Sequence, residues 1–171
     1  MTLYIGIDPG LTGAIVVLDE SGNLLECADI PSVKNGTKRD VVLSALVAQL
    51  EPHRTPQGSA GRNRHPRAFA CVEAQNARPG QGVSSSLKLG RCFGQIEGLL
   101  AGFGIPYENV APRRWKRAMV RDVEGTDQKA RSVLAASRLW PALDLSLKKH
   151  HNRAEAALIA EYGRITREVE R

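Results

Sequence analysis

Apolar and polar residues alternate at the start of the chain in the pattern typical of β-strands. Alternation from Leu3 to Ile7 predicts a strand that ends at Asp8. A Pro-Gly turn then leads to a second strand, Ala14 to Leu18, and a Ser-Gly-Asn turn leads to a third, Leu24 to Ile30. Three consecutive strands joined by short turns predict an antiparallel meander.

Apolar residues at helical spacing predict helices in most of the remaining chain. The predicted helices are Val41 to Leu50, Ser86 to Phe103, 112–119, Thr126 to Leu139 and 150–165. Further strands are expected at Arg67 to Glu73 and within 105–112, and loops at 51–66 and from Gln75 to Ser85. The polar stretch KNGTKRD, residues 34–40, is expected to hold the start of the first helix.

Three glycines recur every fourth residue in the second predicted helix and would line one face of it. They are Gly90, Gly94 and Gly98. Small residues at this spacing let another helix or strand approach closely. We therefore expect close packing along this face, within the fold or at a dimer interface.

Length and composition are those of one globular domain, which we expect to span residues 1–171. Apolar residues make up 42% and charged residues 25% of the chain, and no apolar run is long enough for a bilayer. No secretory signal is readable at the N-terminus, so we expect a cytoplasmic protein without a membrane partner. Three widely spaced cysteines are expected to be reduced packing residues.

Charge and acidic residues together indicate a candidate chemistry. The formal net charge of +6 suits a polyanionic partner. Asp8 and Glu73 each end a predicted strand, and Glu155 lies on the last helix with His151 one turn before it. Adjacent carboxylates repel unless a cation such as Mg²⁺ neutralises them, and such a cluster suits two-metal phosphodiester hydrolysis. Each acid alone also has a structural alternative. Asp8 could cap a turn, Glu73 could form a salt bridge, and Glu155 could lie on a solvated helix face.

Four segments of the chain resemble one family. They are GIDPGLTGAIVVLD, ACVEAQ, SSLKLGRCFGQIEGLLAGFGIPYENVAPRRWKRAM and RAEAALIAEYG. In this order they are similar to the RuvC-type Holliday-junction resolvases of the RNase H-like superfamily, above all to the phage and prophage branch and the plant chloroplast members. The resemblance implies an α/β fold, in which helices flank a mixed five-stranded sheet of three antiparallel and then two parallel strands. It also implies a homodimer that makes paired cuts in four-way DNA junctions with Mg²⁺ or Mn²⁺, two ions per active site.

The resemblance also implies the residues of the site. Asp8 matches the first-strand aspartate of the family, Glu73 the glutamate that ends the fourth strand, and Glu155 the acid of the final helix. The family usually has an aspartate about one turn before that last acid, and this chain has none there. We assign the fourth ligand to His151, because a neutral imidazole can bind a divalent metal, and His150 and Asn152 stay open as alternatives.

DNA contacts are predicted for several residues around this site. Lys116 resembles a lysine-bearing segment of the family, and its basic neighbours could follow the phosphate backbone. The full set of predicted DNA-binding residues is Lys116, Arg113, Arg114, Arg117, Lys148, Lys149, Gln75 and Asn76. The last two begin a loop that reaches the junction centre in this family, where base contacts would set any sequence preference. Trp115 is expected in the core.

Other classes of protein share parts of this pattern. GIDPG near an N-terminus also occurs in sugar-kinase and actin-like ATPases, but those folds need two such domains and a second phosphate loop, so no nucleotide cofactor is expected. The missing fourth aspartate leaves a non-catalytic junction-binding protein as an alternative. A third alternative is an RNase H-like nuclease that acts on other branched DNA or on RNA–DNA hybrids.

Overall fold

A computed structural model of the chain describes residues 2–36, 38–54, 67–75, 80 and 82–169. The strands are β1 (Thr2–Asp8), β2 (Ala14–Leu18), β3 (Leu24–Asp29), β4 (Ser32–Asn35), β5 (Lys38–Val41), β6 (Arg67–Glu73) and β7 (Tyr107–Val110). The helices are α1 (Leu43–Leu50), α2 (Val83–Gly102), α3 (Pro112–Met119), α4 (Gln128–Leu139) and α5 (His151–Val169). Short 3-10 helices lie at Glu51–His53 and Lys148–His150.

Five of these strands form one mixed sheet in the order β3-β2-β1-β6-β7. The first three strands of the chain pair antiparallel as a meander. Strand β6 then pairs parallel with β1, and β7 pairs parallel with β6. The predicted fold class, with three antiparallel strands followed by two parallel ones, is therefore confirmed.

Helices cover both faces of the sheet. Successive side chains of β1 point to opposite faces, so Tyr4 joins one apolar cluster and Ile5 the other. The Tyr4 cluster contains apolar residues of α3, α4 and α5, with Trp115 fully buried among them as expected. The Ile5 cluster contains residues of α1 and α2. Burial on both faces explains why β1 and β2 consist almost entirely of apolar or small residues.

The helices lie close to their predicted positions. Helix α2 begins at Val83, before the predicted start, and α4 begins at Gln128 because the Asp127 carboxylate accepts a hydrogen bond from the Ala130 amide and caps the helix. Helix α3 begins at Pro112, where proline is tolerated. No helix among the described residues is both long and apolar enough to cross a bilayer.

A hairpin replaces the predicted start of the first helix. Strands β4 and β5 pair antiparallel as a separate two-stranded sheet, and α1 begins only at Leu43. The prediction for KNGTKRD was wrong because Asn35 pairs with Lys38 in a tight hairpin whose turn begins at Gly36. Gly36 has a φ of 60°, in the left-handed region that such a turn requires. The predicted loop at 51–66 lies outside the described residues from residue 55 onward.

The cysteines are free thiols, as predicted. Cys71 and Cys92 are buried and Cys27 is half-buried. Burial raises the pKa of the Cys71 thiol to about 12, so it is protonated and unreactive at neutral pH.

The glycine face of α2 is open to solvent. Gly90, Gly94 and Gly98 are exposed, and a Cβ atom at any of them would meet no heavy atom within 4 Å in the described residues. The prediction of close packing within the fold was wrong, because α2 turns a different face toward the sheet, which carries Cys92, Ile96 and Leu100. The other alternative, a contact with a second copy of the chain, stays a prediction.

Helix α5 crosses β1 in direct backbone contact at Gly6. A Cβ atom at residue 6 would overlap the carbonyl oxygen of Ala156 and the amide nitrogen of Ala160. Four α5 residues packed in the core are all buried: Ala154, Ala157, Leu158 and Tyr162. Small residues on both elements therefore bring the helix closer to the sheet than ordinary side chains would allow.

Substitution of Gly6 tests this contact. Gly6→Ala is expected to lower the free energy of unfolding by roughly 1–3 kcal/mol or more, because the new methyl group meets backbone atoms that cannot rotate away. Chemical denaturation followed by circular dichroism measures the change.

Gly102→Ala is the matched control, since a Cβ there meets nothing within 4 Å in the described residues. It is expected to leave stability unchanged or to raise it by about 0.4–1 kcal/mol. Equal effects of the two substitutions would show that α5 does not need Gly6.

Candidate active site

Three carboxylates converge at one edge of the sheet. Asp8 ends β1 and Glu73 ends β6, and the parallel register that pairs Ile7 with Val72 brings the two acids side by side. Glu155, near the start of α5, directly precedes Ala156, the residue whose backbone contacts Gly6. Each of the three acidic residues is only 8% exposed. The structure thus brings together three of the four predicted ligands.

Helix α3 supplies two of the groups that contact these carboxylates. The Trp115 indole donates a hydrogen bond to Oε1 of Glu73 at 3.0 Å. The Lys116 ammonium lies 3.1 Å from Oε1 of Glu155 and 4.0 Å from Oε1 of Glu73. The ammonium also lies 4.9 Å from the centre of the Trp115 ring, within range of a cation–π contact. Lys116 therefore belongs to the acidic cluster itself and is not a surface lysine at its edge.

Ser132 of α4 is a member of the site that the sequence analysis did not identify. Its hydroxyl is buried and lies 3.1 Å from the carbonyl oxygen of Gln128 and 3.2 Å from Oε1 of Glu155. Its single proton can be donated to either of these two acceptors. A lone serine on an amphipathic helix carries no sequence signal for such a role.

Burial and mutual repulsion dominate the electrostatics of the cluster. The pKa of Asp8 is well above its ordinary value, first because the carboxylate is buried and then because Glu73 and Glu155 repel it, while Lys116 and Lys129 act in the opposite direction. Burial also raises the pKa of Glu73, against the opposing effects of Lys116 and the Trp115 hydrogen bond. Burial first, and then the repulsion between carboxylates, therefore disfavours ionisation of the cluster, and a bound cation would relieve this.

The donor set fits a hard divalent cation such as Mg²⁺ or Mn²⁺. Such ions prefer carboxylate oxygens, and Asp8 offers a carboxylate that makes no side-chain hydrogen bond or ion pair among the described residues. In those residues, however, no three His, Cys, Asp or Glu side chains are already arranged around a common ion position. The carboxylates of Glu73 and Glu155 are instead directed toward protein donors, so binding of an ion would require side-chain rotations.

The position of the fourth ligand was left open among three neighbouring residues. Nδ1 of His151 lies 2.9 Å from the carbonyl oxygen of Lys148. A carbonyl can only accept, so Nδ1 carries the ring proton and the lone pair of Nε2 is left for a ligand. None of the described contacts joins His151 to the three carboxylates, so its role as a ligand stays a prediction.

The two alternatives to His151 have local structural roles. Nδ1 of the buried His150 lies 3.4 Å from the Leu147 amide and 3.4 Å from the Asp144 carboxylate, at the turn before α5. The Asn152 amide donates to the carbonyl oxygen of Thr12 and ties the start of α5 to the β1–β2 turn. All three residues thus have local contacts, and the assignment to His151 stays a prediction.

Among the described residues, the predicted DNA-binding residues other than Lys116 and Gln75 make no contact with the three carboxylates. Gln75 is adjacent to the acidic cluster, with its amide nitrogen 3.4 Å from Oε2 of Glu73, and Asn76 lies outside the described residues. Arg114 pairs with Glu108 at 3.1 Å, and Lys149 pairs with Asp29 at 3.1 Å. The remaining three predicted residues are all exposed: Arg113, Arg117 and Lys148.

Comparisons with known proteins support the fold. No protein-family model matches the chain, and no curated protein matches its sequence. Among solved structures, RuvC of T. thermophilus in complex with a Holliday junction substrate is similar, with a TM-score of 0.66 and 17% identity over 97% of each chain. A second Thermus thermophilus RuvC structure gives a TM-score of 0.60 and 20% identity, over 96% of this chain and 97% of the other.

These likenesses define the class of fold to which the chain belongs. The mixed sheet with acids at its carboxyl edge is an RNase H-like α/β fold. Within that class, the chain has the RuvC fold over nearly its whole length. The predicted resemblance is confirmed at the level of structure.

Neutralising Asp8 is expected to stabilise the metal-free protein. Asp8→Asn removes a buried charge that repels Glu73 and Glu155, so the free energy of unfolding should rise by roughly 0.5–2 kcal/mol. Because the pKa of Asp8 is raised in the fold, its ionisation destabilises the native state. The gain should therefore be absent below the ordinary aspartate pKa of 3.8 and grow as the pH rises through the raised pKa.

Denaturation in EDTA at several pH values between about 4 and 8 measures this difference. Asp122→Asn is the matched control, because the Asp122 side chain is almost fully exposed and pairs only weakly with Arg121. If Asp8→Asn is no more stable than Asp122→Asn at pH 8, the claim that the Asp8 charge destabilises the metal-free fold is wrong.

Proposed function

We propose that this protein is a metal-dependent endonuclease that resolves four-way DNA junctions. The observation that carries the proposal is the convergence of Asp8, Glu73 and Glu155 around Lys116 at the carboxyl edge of the sheet. The similarity to the RuvC structure in complex with a Holliday junction substrate supports the choice of substrate. The formal net charge of +6 is consistent with a polyanionic substrate.

In this proposal the three carboxylates, together with His151, hold Mg²⁺ or Mn²⁺. The bound metal would polarise the scissile phosphate and lower the pKa of an attacking water. Trp115 donates a hydrogen bond to Glu73, and the Ser132 hydroxyl lies 3.2 Å from Glu155, so both glutamates have protein partners in the metal-free site. Lys116 adds a positive charge beside the position where the phosphodiester would accumulate negative charge, which favours the transition state.

The DNA backbone would be held by exposed basic residues near the site. Arg113 and Arg117 lie on the same helix as Lys116, and Lys148 lies in the 3-10 helix just before α5. Lys149 and Arg114 already pair with acidic residues, so we assign them weaker contributions. Gln75, next to Glu73, would contact bases where the loop begins, and we retain Asn76 as its proposed partner.

We further propose that two chains pair along α2. The glycine face is open, and Val83 and Leu87 near the start of the same helix are 85% and 72% exposed. Glycines allow two helices to approach closely, and the two apolar side chains would gain burial there. A homodimer would present two active sites, as paired cuts in opposite strands require.

Two observations bear on the alternatives. Trp115, Lys116 and Ser132 all contact the buried carboxylates, and a protein that only binds junctions has no need of such an arrangement. The acidic cluster itself does not distinguish a four-way junction from other branched DNA or from RNA–DNA hybrids. Substrate comparison is therefore part of the test.

Junction cleavage tests the proposed activity. With Mg²⁺ or Mn²⁺, the native protein should make paired nicks in a labelled four-way junction. Asp8→Asn should reduce the rate at least about 10³-fold because a carboxylate that holds the ion is lost, while Asp122→Asn should be active. His151→Ala should reduce it roughly 10–100-fold if His151 is a ligand.

Linear duplex, splayed DNA and RNA–DNA hybrid serve as competing substrates. Faster cleavage of one of these than of the junction would favour the RNase H-like alternative. Tight junction binding without cleavage in either metal would show a non-catalytic protein.

The dimer is tested separately by light scattering. The native chain should have the mass of a dimer, and Gly94→Leu should be monomeric, because a Cβ at this exposed position meets nothing within 4 Å in the described residues, whereas the leucine side chain would block the α2 face. Ser137→Leu, at an exposed position of α4, is the control and should stay dimeric. A dimeric Gly94→Leu variant would rule out pairing along this face.

A further inference from the structure

The Lys116 ammonium lies between two of the three carboxylates. Its side chain is only 18% exposed, and its nitrogen is 3.1 Å from Glu155 and 4.0 Å from Glu73. A single positive charge that bridges two carboxylates in a buried cluster does what a metal ion does in the same place.

The individual oxygen atoms show which positions are taken. Oε1 of Glu155 is close to both Lys116 and Ser132, and Oε1 of Glu73 accepts from Trp115 and faces Lys116. The oxygens left for an ion are those of Asp8 and Oε2 of each glutamate, one of which lies 3.4 Å from the Gln75 amide. Lys116 therefore occupies the position between the two glutamates, and the Asp8 carboxylate, which has no side-chain partner among the described residues, is left for an ion.

Charge balance leads to the same result. When all are ionised, the three carboxylates exceed the buried Lys116 ammonium by two negative charges. Lys129, which also acts on Asp8, is exposed to solvent, and a histidine that binds a metal ion is neutral and adds no charge. One divalent cation therefore neutralises the cluster. A second would have to enter beside a buried ammonium and leave the cluster positive, which is unfavourable at such short range.

We infer that Lys116 takes the place of a second metal ion between Glu73 and Glu155, so that each chain binds a single Mg²⁺ or Mn²⁺ in the absence of DNA. This inference rests on the metal dependence in the proposed function and departs from the two ions that the family resemblance implies. The positive charges of the site would then be one metal ion and the Lys116 ammonium.

Titration of the metal-free protein with Mn²⁺, followed by the electron paramagnetic resonance signal of free Mn²⁺, tests the inference without any cleavage assay. The native chain should bind one ion. Lys116→Met removes the charge with little loss of length and should bind two ions, with the first held about tenfold tighter or more. Lys116→Arg retains the charge and should bind one. Lys34→Met, at an exposed lysine of β4, is the control and should also bind one.

Each outcome decides the inference. Two ions in the native protein would overturn it whatever the variants do, so the test does not depend on the folding of Lys116→Met, which circular dichroism monitors. One ion in a folded Lys116→Met variant, with unchanged affinity, would also overturn it. No Mn²⁺ binding by the native protein would instead overturn the metal-dependent function itself.

Discussion

The backbone contact between α5 and β1 at Gly6 is the constraint on which the site depends. Because residue 6 has no Cβ, the carbonyl of Ala156 and the amide of Ala160 can lie directly against the strand. Glu155 is the neighbour of Ala156, so the same approach that packs the helix also places a carboxylate beside the end of β1. Strand β1 ends at Asp8, two residues after Gly6. The contact that packs the core therefore also brings the residues of the acidic cluster together.

The cluster that results is electrostatically unfavourable, and the surrounding elements compensate for only part of this. Helix α3 contributes the Trp115 hydrogen bond and the Lys116 charge, and α4 contributes the Ser132 hydroxyl. These groups contact the two glutamates, whereas Asp8 accepts no side-chain hydrogen bond among the described residues and has a strongly raised pKa. The burial and repulsion that persist at the Asp8 carboxylate disfavour the empty site and favour a cation there. The site therefore lowers the stability of the metal-free protein in favour of function.

Sequence reasoning found the parts of this site that depend on local pattern. Alternating apolar residues locate β1 and β6, and the acids at their ends follow from the parallel pairing. The contacts of Lys116 and Ser132 could not be found, because they depend on how α3 and α4 pack against α5. The four-residue spacing of the glycines likewise predicted that they share one face of α2. It could not show whether that face contacts the sheet or solvent, because the spacing is the same in both cases.

The course of the chain links the site to the proposed dimer face. Glu73 ends β6, and α2 begins at Val83 after a short connection that starts with Ala74 and Gln75. If two chains pair along the glycine face of α2, the packing of that helix against the sheet that carries Glu73 determines the distance between the two glutamates. Such spacing suits a substrate with two equivalent strands to cut.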